Sequence, residues 1–185
     1  SGRYVHIFCD DDIYYKNTLQ RVLEEIKEKD YGSVFLRPYG FYKDHEKEYP
    51  INLNYKSGPQ KTDDFLVRIS IQMTLASAII INKSLITDVD ANDYCGTNLV
   101  QVNLLLDAVT RSESCYYFKD YIIAIQKNNS GGYDLYDIFI NKFSSILQNY
   151  VEKGLISKKT KQKIDFKNIK CFFPSYIFRS IFYLN

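Results

Sequence analysis

Short apolar runs alternate along this chain with helix-periodic segments, and that alternation restricts the fold more than any other feature. Residues 4–9 read as a buried strand, followed by a helix from Asn17 on which Leu19, Val22, Leu23 and Ile26 repeat at 3.6-residue spacing. Gln20, three residues after Asn17, predicts a capping box at the start of that helix. Residues 33–37 predict a second strand ending in Pro38-Tyr39-Gly40, and the polar stretch from Phe41 to Gln60 predicts a long loop. Asp63 or Asp64 opens the next helix, with Phe65, Leu66, Ile69 and Met73 on one face. Residues 77–82, "SAIIIN", are β-branched enough for a strand, although the helix could continue through them and leave "SLIT" as the strand. Leu99, Val102, Leu106 and Val109 mark a third helix, and residues 115–125 a further strand. After "KNNSGG" comes a helix carrying Leu135, Ile138, Phe139, Phe143, Ile146, Leu147 and Tyr150, which Gly154 ends.

Strands alternating with amphipathic helices predict an α/β domain, a three-layer Rossmann-like arrangement with a mainly parallel sheet covered on both faces. Residues 1–154 are assigned to this domain, and residues 155–185 to a basic, aromatic extension packed on it. The extension holds seven Lys or Arg against one acid, whereas residues 1–154 hold 17 against 21. Such a tail can contact a polyanion or dock on the acidic body. Lysines 158, 159, 161, 163, 167 and 170 could grip phosphates, with Phe166 and Tyr176 as stacking faces. A solvated helix or loop face explains the same residues.

Four cysteines without a CxxC pair, and only two histidines, give a structural zinc site little support. They predict reduced thiols in an intracellular, cytoplasmic protein. The apolar stretches "LASAIII" and "CFFPSYIF" are far shorter than a bilayer span, so no membrane partner is expected. The Ser1-Gly2 start, without a methionine, suggests a cut or engineered terminus and leaves open an upstream extension of the native chain.

The acids have the most chemical content. Asp10, Asp11 and Asp12 follow the first strand, Asp63 and Asp64 open a helix, and Asp88, Asp90 and Asp93 follow the "AIII" or "SLIT" strand. In a parallel sheet every strand releases its carboxyl end at one edge, so the three clusters are expected to converge there. Carboxylates that close together need a hard cation such as Mg²⁺ or Mn²⁺, which could activate water for phosphoryl chemistry. Caps and turns explain any one cluster equally well. His6 reads as a core or sheet-face residue, His45 as solvated, and "NNSGGYD" as a turn without P-loop chemistry.

"YVHIFCDDD", "LRPYG", "KTDDFLVRISIQMTLA" and "ITDVDANDY" together resemble the NYN branch of the PIN-like ribonucleases over residues 4 to about 110. The likeness departs from the family pattern after the first Asp, where an Asn is usual. It implies a metal-dependent nuclease-like domain acting on RNA. Asp10, Asp12, Asp63, Asp88 and Asp90 would then be metal ligands, Asp10, Asp63 and Asp88 catalytic, Lys61 a charge stabiliser, and the tail the grip on RNA. Over the same residues "VHIFCDDD", "ASAIIINKSL" and "NDYCGTNL" are similar to TIR domains, with Cys95 aligned and Tyr94 in place of a Trp. The catalytic Glu of that family falls on Asn98, so this alternative implies a non-catalytic module of signalling or immune defence that binds a protein partner or a second copy of itself. "DYCGT" also resembles the Asp-x-Gly-Thr stretch of nucleoside deoxyribosyltransferases.

Overall fold

The computed structural model describes residues 2–51, 57–127, 134 and 136–182. Its centre is a mixed five-stranded sheet in the order β1 (Tyr4–His6), β6 (Ile79–Asn82), β3 (Ser33–Phe35), β7 (Ser114–Tyr117), β5 (Gly58–Lys61). A smaller sheet of β2 (Ile13–Tyr14), β8 (Ile123–Gln126) and β4 (Pro38–Phe41) continues it at one end. Side chains alternate across the central strands, so each strand feeds two cores. Val34, Ile80 and Tyr116 pack with Val22 and Ile26 of α1 (Thr18–Glu28) on one face. Phe35, Ile79, Ile81 and Cys115 pack on the other, under α2 (Thr62–Ile69), α3 (Val100–Thr110), α4 (Phe143–Glu152) and α5 (Lys158–Lys167).

The α/β layering matches expectation, but the sheet is not mainly parallel. β1, β3 and β7 share one direction, whereas β6 lies antiparallel between β1 and β3, and β5 lies antiparallel along the edge of β7. β5 comes from a stretch read as loop. Its "GPQK" sequence has no apolar periodicity, and Pro59 is tolerated because β5 is an edge strand that bonds on one side only. The strand expected over residues 115–125 is two, β7 and β8 in different sheets, broken where Arg37 donates to Lys119 O at 2.7 Å and to the Tyr121 hydroxyl at 2.9 Å.

The "AIII" run is the strand and "SLIT" is not, since three consecutive β-branched residues fit a position covered on both faces. Before it, the chain leaves α2 through Ser70, at φ 49°, into 3₁₀ turns over Ser70–Thr74 and Ala76–Ala78, so the helix does not run on. The expected capping box at Asn17 does not form: Asn17 is left-handed and makes no side-chain cap bond, while Gln20 bonds Glu24. Leu19 and Leu23 point away from the Val22 side and stay exposed.

Gly154, at φ 71°, turns the chain after α4, and the Ser157 hydroxyl accepts the Thr160 N–H at 3.0 Å to start α5. Ile156 and Ile164 enter the main core. Residues 128–132, Leu135 and the Tyr176 side chain, all invoked from sequence, lie outside the described residues. No helix among the described residues is long and apolar enough to cross a membrane.

One buried polar group ties this half together. Asp107 of α3 accepts the Tyr150 hydroxyl at 2.7 Å and the Tyr94 hydroxyl at 2.5 Å, and Tyr150 also reaches Asn103 O. Burial and the Asp107 carboxylate both push the Tyr150 phenol far up, so it stays a donor. Tyr150→Phe leaves one Asp107 oxygen without its donor and should lower stability by about 1–3 kcal/mol. Urea denaturation followed by circular dichroism measures this, and an unchanged midpoint would show that the hydroxyl contributes nothing.

Candidate functional site

The acidic turn lies where β1 leaves the large sheet and the chain bends into β2. Cys9 N–H donates to the Ser77 hydroxyl at 2.9 Å, and Asp12 closes the turn by accepting Gln126 N–H of β8 at 3.1 Å. Bent in this way, the Cys9 thiol and the Asp11 and Asp12 carboxylates bring ligand atoms within 4.8 Å of one another. Among the described residues, no Lys, Arg or His forms an ion pair with Asp10, Asp11 or Asp12.

Asp12 is half-buried, and desolvation pushes its carboxyl above the usual range; bonds from Ser77 and Gln126 oppose the shift and the Asp11 charge adds to it. Behind the turn His6 donates from Nε2 to Ser77 O at 2.9 Å and accepts the Tyr14 hydroxyl at Nδ1 at 2.6 Å. Burial lowers its pKa, with the Ser77 bond acting against it, so a neutral imidazole braces the turn. Phe8 stacks on Tyr14 at 4.3 Å.

The turn opens on a cavity of about 320 Å³, to which Cys9 and Asp12 contribute directly. Its polar wall is formed by Thr74, Ser77, Asn98 and Gln101. Its apolar wall includes Leu75, Leu99, Ile125, Ile138 and Phe139. Gln101 is fixed by donating from Nε2 to Thr74 O at 3.0 Å. Asn98, left-handed at φ 59°, ends a loop anchored by the bond from Tyr94 to Asp107.

The residues expected to share one metal do not meet. Asp12 belongs to the converging group; Asp10 is exposed on the same turn and outside it. Asp63 sits exposed in the first turn of α2, and Lys61 is the residue before that helix, at the end of β5. Asp88 pairs with Arg111, whose guanidinium holds its carboxyl below the ordinary carboxylate range, and Asp90 caps the next turn by accepting Asn92 N–H at 2.9 Å.

Strand direction explains the separation. β5 and β6 run antiparallel to β7 and β3, so the residues after them emerge at the opposite edge of the sheet from those after β1. Cys9 and Asp11 are the members of the converging group that sequence reasoning passed over, although "CDDD" places all three side chains in one four-residue turn. Of the tail lysines, Lys161 pairs with Asp165, and Lys167 donates to the Val67 and Arg68 carbonyls at the end of α2.

No protein-family profile and no curated protein matches the chain. Solved structures do. Staphylococcus aureus TarS 1-349 aligns over 93% of this chain and 48% of its own, with a TM-score of 0.61 and 14% identity. The same protein in complex with UDP-GlcNAc aligns over 88% and 46%, with a TM-score of 0.58 and 15% identity. Its complex with UDP aligns over 92% and 48%, with a TM-score of 0.58 and 14% identity. The chain thus spans about half the length of these structures, and at this identity the likeness is one of fold.

That fold overturns the resemblance to NYN/PIN-like ribonucleases, and equally those to TIR domains and nucleoside deoxyribosyltransferases. The metal-dependent RNA nuclease reading, its RNA partner and the TIR-like signalling alternative fall with them. Short acidic and "DYCGT"-like motifs are shared by many sheets with helices on both faces, and in this chain they occur on the architecture of TarS.

Proposed function

We propose that this chain is a sugar-nucleotide-binding part of a glycosyltransferase, which takes a uridine diphosphate sugar at the Cys9–Asp12 turn and transfers its sugar to a hydroxyl acceptor. The observation that carries this reading is the fold shared with TarS in complex with UDP-GlcNAc, over 88% of the chain. The chemistry of the turn supports it. Two neighbouring carboxylates would repel a diphosphate unless a divalent cation offset their charge, and the Asp11 and Asp12 oxygens are the hard donors that such an ion takes. We assign Mg²⁺ or Mn²⁺ to this position. Either ion would take its protein ligands from the Asp11 and Asp12 oxygens, with the soft Cys9 thiol a neighbour and not a preferred donor. Held by Asp11 and Asp12, such an ion would offset the charge that develops on the departing diphosphate.

The residues of the chain orient and enclose. Ser77 and Gln126 fix the Asp12 carboxylate through the bonds already described, and the neutral His6 adds no positive charge that would compete for it. In the transfer, an acceptor oxygen bonds to the anomeric carbon as the bond to the diphosphate oxygen breaks, and the hydroxyl proton leaves to solvent. The four thiols, none in a disulfide, support an intracellular, cytoplasmic setting.

Calorimetry tests the reading. UDP should bind in the presence of Mn²⁺ and lose at least ten-fold in affinity without it, or in Asp11→Asn and Asp12→Asn. Absence of UDP and UDP-GlcNAc binding in the unaltered protein with Mn²⁺ would sink the proposal.

Asp12 also links site and stability. Its raised folded pKa means that the native state holds the proton more tightly than the unfolded chain. Ionised Asp12 therefore opposes folding at neutral pH, and the opposition is relieved as pH falls toward the usual carboxylate range. Asp12→Asn should accordingly raise the melting temperature in metal-free buffer at pH 7 while abolishing any upward shift caused by Mn²⁺. A fall in metal-free melting temperature would contradict the assigned burial of this charge.

A further inference from the structure

We infer that the cavity beside the acidic turn is the acceptor site, and that it selects an uncharged glycoside over a phosphorylated or carboxylated one. This rests on the sugar-nucleotide reading above and names the substrate class of the same site. Transfer requires the acceptor oxygen within about 3–3.5 Å of the reacting carbon, so the acceptor must enter next to the diphosphate. The cavity does so by construction, because Cys9 and Asp12 belong to both. At about 320 Å³ it falls at the small end of the usual range for ligand pockets, room for a monosaccharide and a small aglycone.

The walls carry the argument further. A pyranose ring has a rim of hydroxyls and an apolar face of C–H groups, and this cavity has the matching two-sided lining. Ser77, Asn98 and Gln101 offer hydroxyl and amide groups to the rim, with the Gln101 nitrogen already engaged by Thr74 O and its carbonyl oxygen left as an acceptor. Phe139, tilted against Phe172 at 5.6 Å between ring centroids, supplies an aromatic surface for the C–H face.

Charge decides the class. Among the described lining residues there is no Lys, Arg or His, and the charged side chain is Asp12, with Asp11 beside it. A phosphate or carboxylate on the acceptor would lose water without gaining a cationic side chain, and would face the nucleotide diphosphate together with Asp11 and Asp12, whose summed negative charge exceeds that of one divalent ion. A neutral ring meets neither penalty.

The test uses the whole chain with Mn²⁺ and UDP present. Its probes are p-nitrophenyl β-D-glucopyranoside and the 6-phosphate of the same glycoside, read by saturation-transfer NMR and calorimetry. The neutral glycoside is expected to bind at least ten-fold more tightly than its 6-phosphate. Phe139→Ala and Gln101→Leu are each expected to weaken it at least five-fold while leaving UDP affinity unchanged, which also reports that the variants are folded. Equal or tighter binding of the 6-phosphate, no binding of either glycoside, or indifference to both substitutions overturns the acceptor assignment while UDP binding leaves the functional reading intact. Failure of UDP itself to bind overturns that reading, and the acceptor site with it.

Discussion

β6 pairs with β1 on one side and β3 on the other, both antiparallel, and its three isoleucines feed both cores: Ile80 toward α1, Ile79 and Ile81 toward α3. The placement of the site follows from this strand. Because β6 separates β1 from β3 without reversing either, β1 still delivers its carboxyl end to the edge where β3 and β7 end. The residues before β6 reach the same edge, so Ser77 meets Cys9 and His6 there. The residues after it leave at the far edge, which is why Asp88 finds Arg111 and not Asp12.

At the near edge, local stability and local chemistry oppose each other. Two carboxylates and a thiol share less than 5 Å of space, with one carboxylate half withdrawn from water and no cationic side chain in an ion pair with it among the described residues. A turn selected for stability alone would place a lysine or an amide there. The surrounding framework tolerates the turn because it is well fixed: aromatic stacking of Phe8 on Tyr14, a neutral imidazole bonded at both nitrogens, and a strand amide on Asp12.

Much of the layered plan was legible from periodicity. The second strand, the "AIII" strand and the helices around Val22, Phe65, Val102 and Ile146 carry apolar repeats that the structure uses, whereas the first strand, expected to be buried over residues 4–9, is an edge strand of Tyr4–His6 with Val5, Ile7 and Phe8 exposed. What periodicity could not carry was strand direction. β5 is four residues of "GPQK" without an apolar signal, and it forms because β7 offers a free edge, not because its own side chains demand burial. With β5 unseen and β6 assumed parallel, the acids after them were projected onto the wrong edge. The site was legible only in part: the "CDDD" turn identifies itself, but Ser77, Asn98 and Gln101 become neighbours of it through pairings between residues about 65 to 90 positions apart. No local pattern in a single sequence encodes those meetings.

The Ser77 residue has a consequence for how the two sides of the site communicate. Its carbonyl holds His6, its hydroxyl holds Cys9 and Asp12, and its side chain also borders the cavity. A displacement of this one peptide therefore moves the floor beneath the charged turn and the lining of the hollow together. The two compartments are mechanically geared: whatever seats in one sets the shape that the other presents.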